Sequence, residues 1–186
     1  LVNCPFGAIS DKSQIFQLIQ AIKRGDKVVA AVAPAFVSQF GEKVTSSQMR
    51  EAMRQVGFHK VIEVAVGADM CTAEEAEDFL KKVPEQQPFM ATSCCPSWSV
   101  MAKKLFPQFK DYISMAMTPM VLTARLYKKD HPDVRIVFIG PCTAKKLEAS
   151  RRTIRSDVDF VLTFEEMQGI FDAKGIVPSE MPYDPD

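Results

Sequence analysis

The chain has 186 residues, 47% of them hydrophobic, and its 23 Lys plus Arg equal its 23 Asp plus Glu. That length supports one substantial core with a single globular unit as the default, and the balanced charge provides neither a basic field for nucleic acid nor one for an acidic substrate. No run of about eighteen apolar residues is present to span a membrane, and the first apolar pair meets Asn3, Cys4 and Pro5 at once, unlike a secretory signal, so the expected setting is soluble and cytoplasmic.

In chain order, "DKSQIFQLIQAIKRG" puts Ile15, Leu18, Ile19 and Ile22 on one helical face and stops at Gly25. "KVVAAVAP" reads as a buried strand ending at Pro34. "TSSQMREAMRQVGF" opens with a capping box, Thr45 to Gln48, and runs as a helix to Gly57. "KVIEVAVGAD" reads as a second strand, "TAEEAEDFLKKV" as a helix and "PFMATSC" as a third strand. "TPMVLTARLYKKDHP" follows as a helix, "VRIVFIGPC" as a further strand, and "VDFVLTFEEMQGIFDAKG" as a short strand and a helix capped by Thr163 and Glu166.

Strands separated by helices imply an α/β fold, a mostly parallel sheet of about four strands with helices on both faces. Ligand sites in such sheets lie beyond the carboxyl ends of the strands. Pro34, Gly67, Cys94, Cys95 and Cys142 are expected at such ends, so that sequence-distant cysteines converge on one edge.

Five cysteines at irregular spacing favour thiols or metal ligands over disulfide staples. Cys94 and Cys95 are adjacent. Neighbouring side chains point in different directions and a disulfide between them is strained, so the pair implies two separate jobs. A lone strand-end cysteine is most often a small buried hydrophobe. Two Cys-Pro or Pro-Cys turns on one edge, the second followed by two lysines and a glutamate, are a different matter.

"TSCCPSW", residues 92–98, and "GPCTAKKLEA", residues 140–149, resemble the first two signature motifs of the iron-only ([FeFe]) hydrogenase catalytic domain. "CPFGAI", residues 4–9, resembles the last cysteine turn of a ferredoxin-type cluster domain, so residues 1–9 are expected to be the tail of such a domain and 10–186 the first part of the catalytic domain. The resemblance implies one lobe of a two-lobed domain and a [4Fe-4S] cluster linked to a diiron unit in the full-length protein. It implies reversible reduction of protons to H2, with ferredoxin or another electron carrier as partner. Cys95 and Cys142 match ligands of the active-site [4Fe-4S] cluster, and Cys4 matches a ligand of the ferredoxin-type cluster. Cys94 matches the free thiol that passes protons in the family, a division in keeping with chemistry, since a ligand gives up its proton to iron whereas a relay keeps a labile one. Lys145 matches the lysine that holds a cyanide ligand, and Pro34 and Ala35 match the backbone loop lining the diiron pocket. Glu75, Asp78 and Ser114 match the onward proton route; a Glu and an Asp three apart share a helical face. A solvated acidic face that also contains Glu74 and Glu77 is the alternative. Lys146 reads as a solvated or helix-pairing charge, Glu148 as a partner for a basic group, and Cys71 as a free thiol at a helix start.

The chain also departs from the family pattern. Ala35 lacks a hydroxyl found in several hydrogenases, Ser97 replaces a more usual glycine, and Gly140 stands where methionine is common, leaving a gap or admitting another group. These departures favour a divergent subgroup tuned for sensing or slow turnover. No cysteine follows Cys142, so the two remaining active-site ligands are missing and so are the three that would precede Cys4. The chain opens without methionine and closes in "PYDPD", and is expected to be a piece of a longer protein. By itself it is expected to hold no cluster, to be inactive, and to self-associate through an exposed cleft face. The alternatives are a hydrogen-sensing regulatory protein and an iron-sulfur assembly protein of the same fold. A nucleotide-binding domain is disfavoured because no Gly-rich phosphate loop follows the first strand.

Overall fold

The structure, a computed structural model, describes residues 4–6, 8–151, 154 and 156–184. Of the expected ferredoxin-type tail, Leu1 to Asn3 and Gly7 lie outside the described residues, as do the last two residues of "PYDPD".

Four strands form one parallel sheet in the order β2-β1-β3-β4, with β1 at Val28–Val32, β2 at Lys60–Glu63, β3 at Arg135–Gly140 and β4 at Phe160–Thr163. Every residue of β1 is buried, as a central strand covered on both faces requires. The registers bring the strand ends level: Val32 lies opposite both Glu63 and Ile139, and Gly140 lies opposite Thr163. The chain leaves β1 toward β2 and returns to β3 on the other side, so the order reverses between β1 and β3. That reversal opens a crevice beyond their carboxyl ends.

Helices cover the sheet. α1 (Ile15–Lys23) ends where Gly25, at φ 84°, donates to the carbonyl of Ile22. α2 (Ser46–Val56) begins with the capping box of Thr45 and Gln48 and packs on α7 (Phe164–Lys174), which has its own box of Thr163 and Glu166. α3 (Val64–Lys82) packs on α5 (Pro119–Asp130). α4 (Pro96–Leu105) and α6 (Ala144–Ser150) follow the two cysteine motifs. The core gathers Leu18, Met53, Ile136, Ile139, Leu162, Met167 and Phe171, each at most 0% exposed.

Three sequence expectations change. The second strand stops at Glu63, and its apolar continuation, Val64 onward, is helix. A short apolar run fits a strand and a buried helix equally well. Gly67 settles this one: a Cβ there would lie 2.1 Å from Thr123 Oγ1 and 3.1 Å from the Pro119 carbonyl, so glycine lets α3 approach α5. Gly67 is therefore inside α3 and not at a strand end. "PFMATSC" is not a sheet strand. It makes one isolated parallel bridge, Ala91 to Ile113, and Phe89 packs edge-on against Phe109 and Tyr112. Cys71 is not at a helix start; it is buried in the middle of α3.

Candidate active site

Both cysteine motifs end in a helix N-terminus. Cys95 is the N-cap of α4, where its sulfur accepts from the Trp98 N–H at 3.5 Å, and Pro96 supplies the first helical residue without needing a backbone donor. Cys142 lies two residues before α6 and its sulfur accepts from the Ala144 N–H at 3.4 Å. Each sulfur thus accepts from a backbone N–H at a helix start. The motifs are also joined to each other. Ser97 Oγ lies 3.7 Å from Cys142 Sγ, so the residue two after Cys95 touches the second expected ligand. Cys94 and Cys95 are exposed and Cys142 half-buried, leaving all three thiols accessible.

A second link runs deeper. Lys145 Nζ donates to the Cys94 carbonyl at 2.9 Å and to Glu148 Oε2 at 2.8 Å, and Thr118 Oγ1 donates to Glu148 Oε1 at 2.8 Å. Glu148 is 3% exposed, so a buried carboxylate fixes the ammonium from below. Thr118 precedes α5 as an N-cap residue, yet its hydroxyl serves Glu148 and makes no cap hydrogen bond. Sequence reading missed Thr118, since "TPM" reads as an ordinary helix start.

Of the two readings of Lys146, a solvated or a helix-pairing charge, the first does not hold. Its side chain is 11% exposed, bonded to Asp11 and, at 2.9 Å, to Glu166 Oε1. The carboxylate of the α7 capping box thus meets a lysine of the second motif, which the spacing of residues 146 and 166 did not reveal.

The acidic face of α3 separates into two kinds of residue. Glu75 and Asp78 are half-buried, while Glu74 and Glu77 are exposed. These carboxylates share with Ser114 a cleft of about 270 Å³ that Lys81 and Met115 also line. Ser114 is buried and its hydroxyl accepts from the Ala116 N–H at 3.2 Å; Asp78 pairs with Lys82 at 2.7 Å. Cys71, which sequence reading set aside, sits close by. Its thiol donates to the Met117 carbonyl at 3.0 Å. Burial, then the charges of Glu74 and Glu75, push that thiol above its ordinary value, with Cys94 adding to the rise and Lys145 opposing it. Cys71 therefore lies within electrostatic reach of both the acidic cleft and the cysteine motif.

Pro34 and Ala35 begin a single 3-10 turn at the end of β1, both exposed, on the β1 side of the crevice. Gly140 ends β3 on the other side, with the Ala33 N–H bonded to the Ile139 carbonyl at 2.9 Å between them. Glycine leaves no void here. The ring of Phe138 occupies the space a side chain at position 140 would take. Cys4 is half-buried and distant in sequence from these elements.

The donor set fits part of a cluster site. Cys95 and Cys142 are two accessible thiols, half of the four thiolates that hold a [4Fe-4S] cluster. Among the described residues no group of three or more His, Cys, Asp or Glu side chains is placed to hold a metal ion. Among them, too, no helix is long and apolar enough to cross a membrane.

Comparison with known proteins agrees with this geometry. The chain is 30% identical to iron hydrogenase 1 of Clostridium pasteurianum over 96% of its own length and 34% of that protein's. It superposes on an apo [FeFe]-hydrogenase from Chlamydomonas reinhardtii with a TM-score of 0.81 at 28% identity, covering 94% of this chain and 52% of that one. It is also 26% identical to a cytosolic Fe-S cluster assembly factor of Sclerotinia sclerotiorum, over 90% of this chain and 36% of that protein. The chain thus spans about a third of the length of these curated relatives. With the model for "Iron only hydrogenase large subunit, C-terminal domain" matched over residues 26–186, the whole of the sheet and both cysteine motifs, this chain belongs to that family.

Proposed function

We propose that the chain is one lobe of a hydrogenase catalytic domain whose full-length protein interconverts protons and H2 with electrons from ferredoxin or a similar carrier. The observation that carries this reading is the bond from Lys145 Nζ to the Cys94 carbonyl. It ties the lysine of the second motif to the backbone of the first, beside the expected ligand Cys95.

In this reading Cys95 and Cys142 would supply two of the thiolates for a [4Fe-4S] cluster linked to a diiron unit, which when bound would pass two electrons from the carrier to two protons to give H2. Lys145 orients an anionic diatomic ligand, with Glu148 and Thr118 holding its ammonium in position. Pro34, Ala35 and Gly140 line the pocket. Cys94 Sγ holds a proton and passes it toward Glu75, Ser114 and Asp78, whose shared cleft leads to solvent. The carboxylates and the serine line one cleft, where a bridging water would carry the proton between them. Cys4 belongs to a ferredoxin-type cluster of the longer protein. Residues 1–9 are the tail of that domain and 10–186 the beginning of the catalytic one. The lone chain, with half a ligand set, carries no stable cluster and no activity.

A second reading has an observation of its own. The chain is 26% identical to an assembly factor over 90% of its length as well as being similar to hydrogenases, so iron-sulfur assembly is the competing function. A hydrogen-sensing role, consistent with Gly140, uses the same site. One experiment separates them. The full-length protein, matured anaerobically with a diiron unit, is assayed for H2 evolution from reduced viologen beside its Cys94→Ala variant. Turnover that falls by roughly 100-fold or more in the variant, at unchanged iron content, supports the proton-transfer reading. A protein that holds its [4Fe-4S] cluster yet accepts no diiron unit and evolves no H2 would shift the reading to assembly.

A further inference from the structure

Phe138 and Gly140 lie two apart on β3, so both face the same side of the sheet. A Cβ at position 140 would lie 2.4 Å from Phe138 Cε1, 2.7 Å from Phe138 Cζ and 3.4 Å from the Ala33 methyl. The first two distances are far inside van der Waals contact. Gly140 is buried, and its φ is not in the left-handed region that calls for glycine. The position is therefore glycine because of its neighbour and not because of its own backbone. Phe138 is 3% exposed, and the edge of its ring reaches level with the point where the chain leaves the sheet toward Cys142. Ala33, the third member of the contact, leads into Pro34 on the other side of the crevice. One aromatic ring thus fills the floor between the two loops.

We propose that Phe138 is a specificity-determining residue of this site, and that Phe138 and Gly140 form a size-exchanged pair. The bulk that a side chain at 140 would place beside the diiron unit is supplied here by the rigid ring two residues earlier. The proposal rests on the hydrogenase reading of the site. Its consequence is a pocket wall that is flat, apolar and without the mobile thioether of a methionine, while Ala35 across the crevice stays exposed.

The pair is tested by a four-member series: wild type, Gly140→Met, Phe138→Ala and the double variant. Packing a side chain at 140 against the intact ring forces it aside, so Gly140→Met lowers the Tm by roughly 5 °C. Phe138→Ala leaves a cavity and lowers it further. The decisive quantity is a sign: methionine added to the Phe138→Ala background raises the Tm, because it fills the cavity. Gly140→Ala, which adds only the clashing Cβ, follows the same sign rule and covers the case in which Gly140→Met fails to fold. A fall in Tm in both backgrounds overturns the exchange.

The second readout is infrared spectroscopy of the full-length protein loaded with a synthetic diiron unit. The CO and CN stretching bands of the double variant shift from those of wild type by more than the spread between preparations. Identical bands with a restored Tm would make the pair simple core packing and overturn its role as a pocket wall. Failure of the wild type to accept the diiron unit would remove the hydrogenase reading and the wall with it, whatever the Tm series gave.

Discussion

Lys145 Nζ lies 2.9 Å from the Cys94 carbonyl oxygen and joins two motifs 51 residues apart. The same ammonium is bonded at 2.8 Å to Glu148, whose side chain is 4% exposed against 13% for Lys145. This pair sets the height at which the charge stands over the crevice.

Removing the carboxylate should therefore loosen the site and weaken the fold. Glu148→Ala leaves a mostly buried ammonium with only the Cys94 carbonyl and leaves Thr118 without an acceptor. The expected loss is about 3 kcal/mol, or a Tm lower by roughly 10 °C. Glu148→Gln keeps an acceptor for one of the two donors and should lose about half as much. Urea denaturation of the three proteins checks this; an Ala variant as stable as wild type would mean that Lys145 is placed by other contacts.

The N-terminal segment should be released by acid. Asp11 is held below its ordinary value of 3.8 chiefly by its hydrogen bond from Lys146, with burial opposing. A lowered carboxyl contributes stability above its unfolded value and loses it as pH falls through the lower folded value. Lys146 is raised above 10.5: burial disfavours its charge, but the bonds to Asp11 and Glu166 outweigh that. Its contribution is complete below 10.5 and is lost as pH rises through the folded value. Between about pH 5 and 9 both contributions are intact. Limited proteolysis near residue 11 should be slow across that window and accelerate below about pH 4. In Asp11→Asn it should already be fast at pH 7, and equal protection of the two proteins at pH 7 would show that the segment is held elsewhere, as by the 2.6 Å bond from the Val161 N–H to Gln14.

The elements that sequence made legible are those with local signals. Thr45 with Gln48 and Thr163 with Glu166 form the boxes that their spacing implied, and Gly25 and Gly57 end helices with positive φ. Ambiguity arose where only tertiary contact decides. Val64 to Gly67 is as apolar as a strand, and it is the approach to Thr123 that fixes it as helix. "PFMATSC" has strand composition but no sheet neighbour, only Ile113. At the site, Cys94, Cys95, Cys142 and Lys145 could be proposed from sequence because they fall in contiguous motifs. Thr118 and the burial of Lys146 depend on partners 20 to 135 residues away in sequence, which no local pattern encodes.

The contact between α3 and α5 has a test in its own right. Gly67→Ala places a methyl 2.1 Å from the Thr123 hydroxyl and 3.1 Å from the Pro119 carbonyl. The hydroxyl can rotate, but the carbonyl belongs to the first turn of α5, so the helices must part at a cost of about 2 kcal/mol. Thr123 Oγ1 is buried and has no hydrogen-bond partner among the described residues. Thr123→Ala alone should therefore cost little, and in the Gly67→Ala background it should recover much of the loss. Strict additivity of the two changes in thermal unfolding would show that they act at separate places.

Cluster loading of the 186-residue chain tests the division of ligands most directly. Cys95 and Cys142 are the two thiols that the helix starts of α4 and α6 bring together through Ser97. A cubane held by two thiolates leaves two irons to solvent or exogenous thiol, which favours loss on desalting. Anaerobic reconstitution, followed by iron and sulfide counting and paramagnetic resonance after reduction, should give far less than one cluster per chain after gel filtration. The little that remains should vanish in Cys95→Ser and be unaffected by Cys71→Ser, whose thiol is turned toward the Met117 carbonyl. A full cluster that survives gel filtration at the mass of a dimer would mean that two copies pool their cysteines across the exposed crevice. In that case the chain would be competent to bind the cluster without a second lobe, and its lone form would not be cofactor-free.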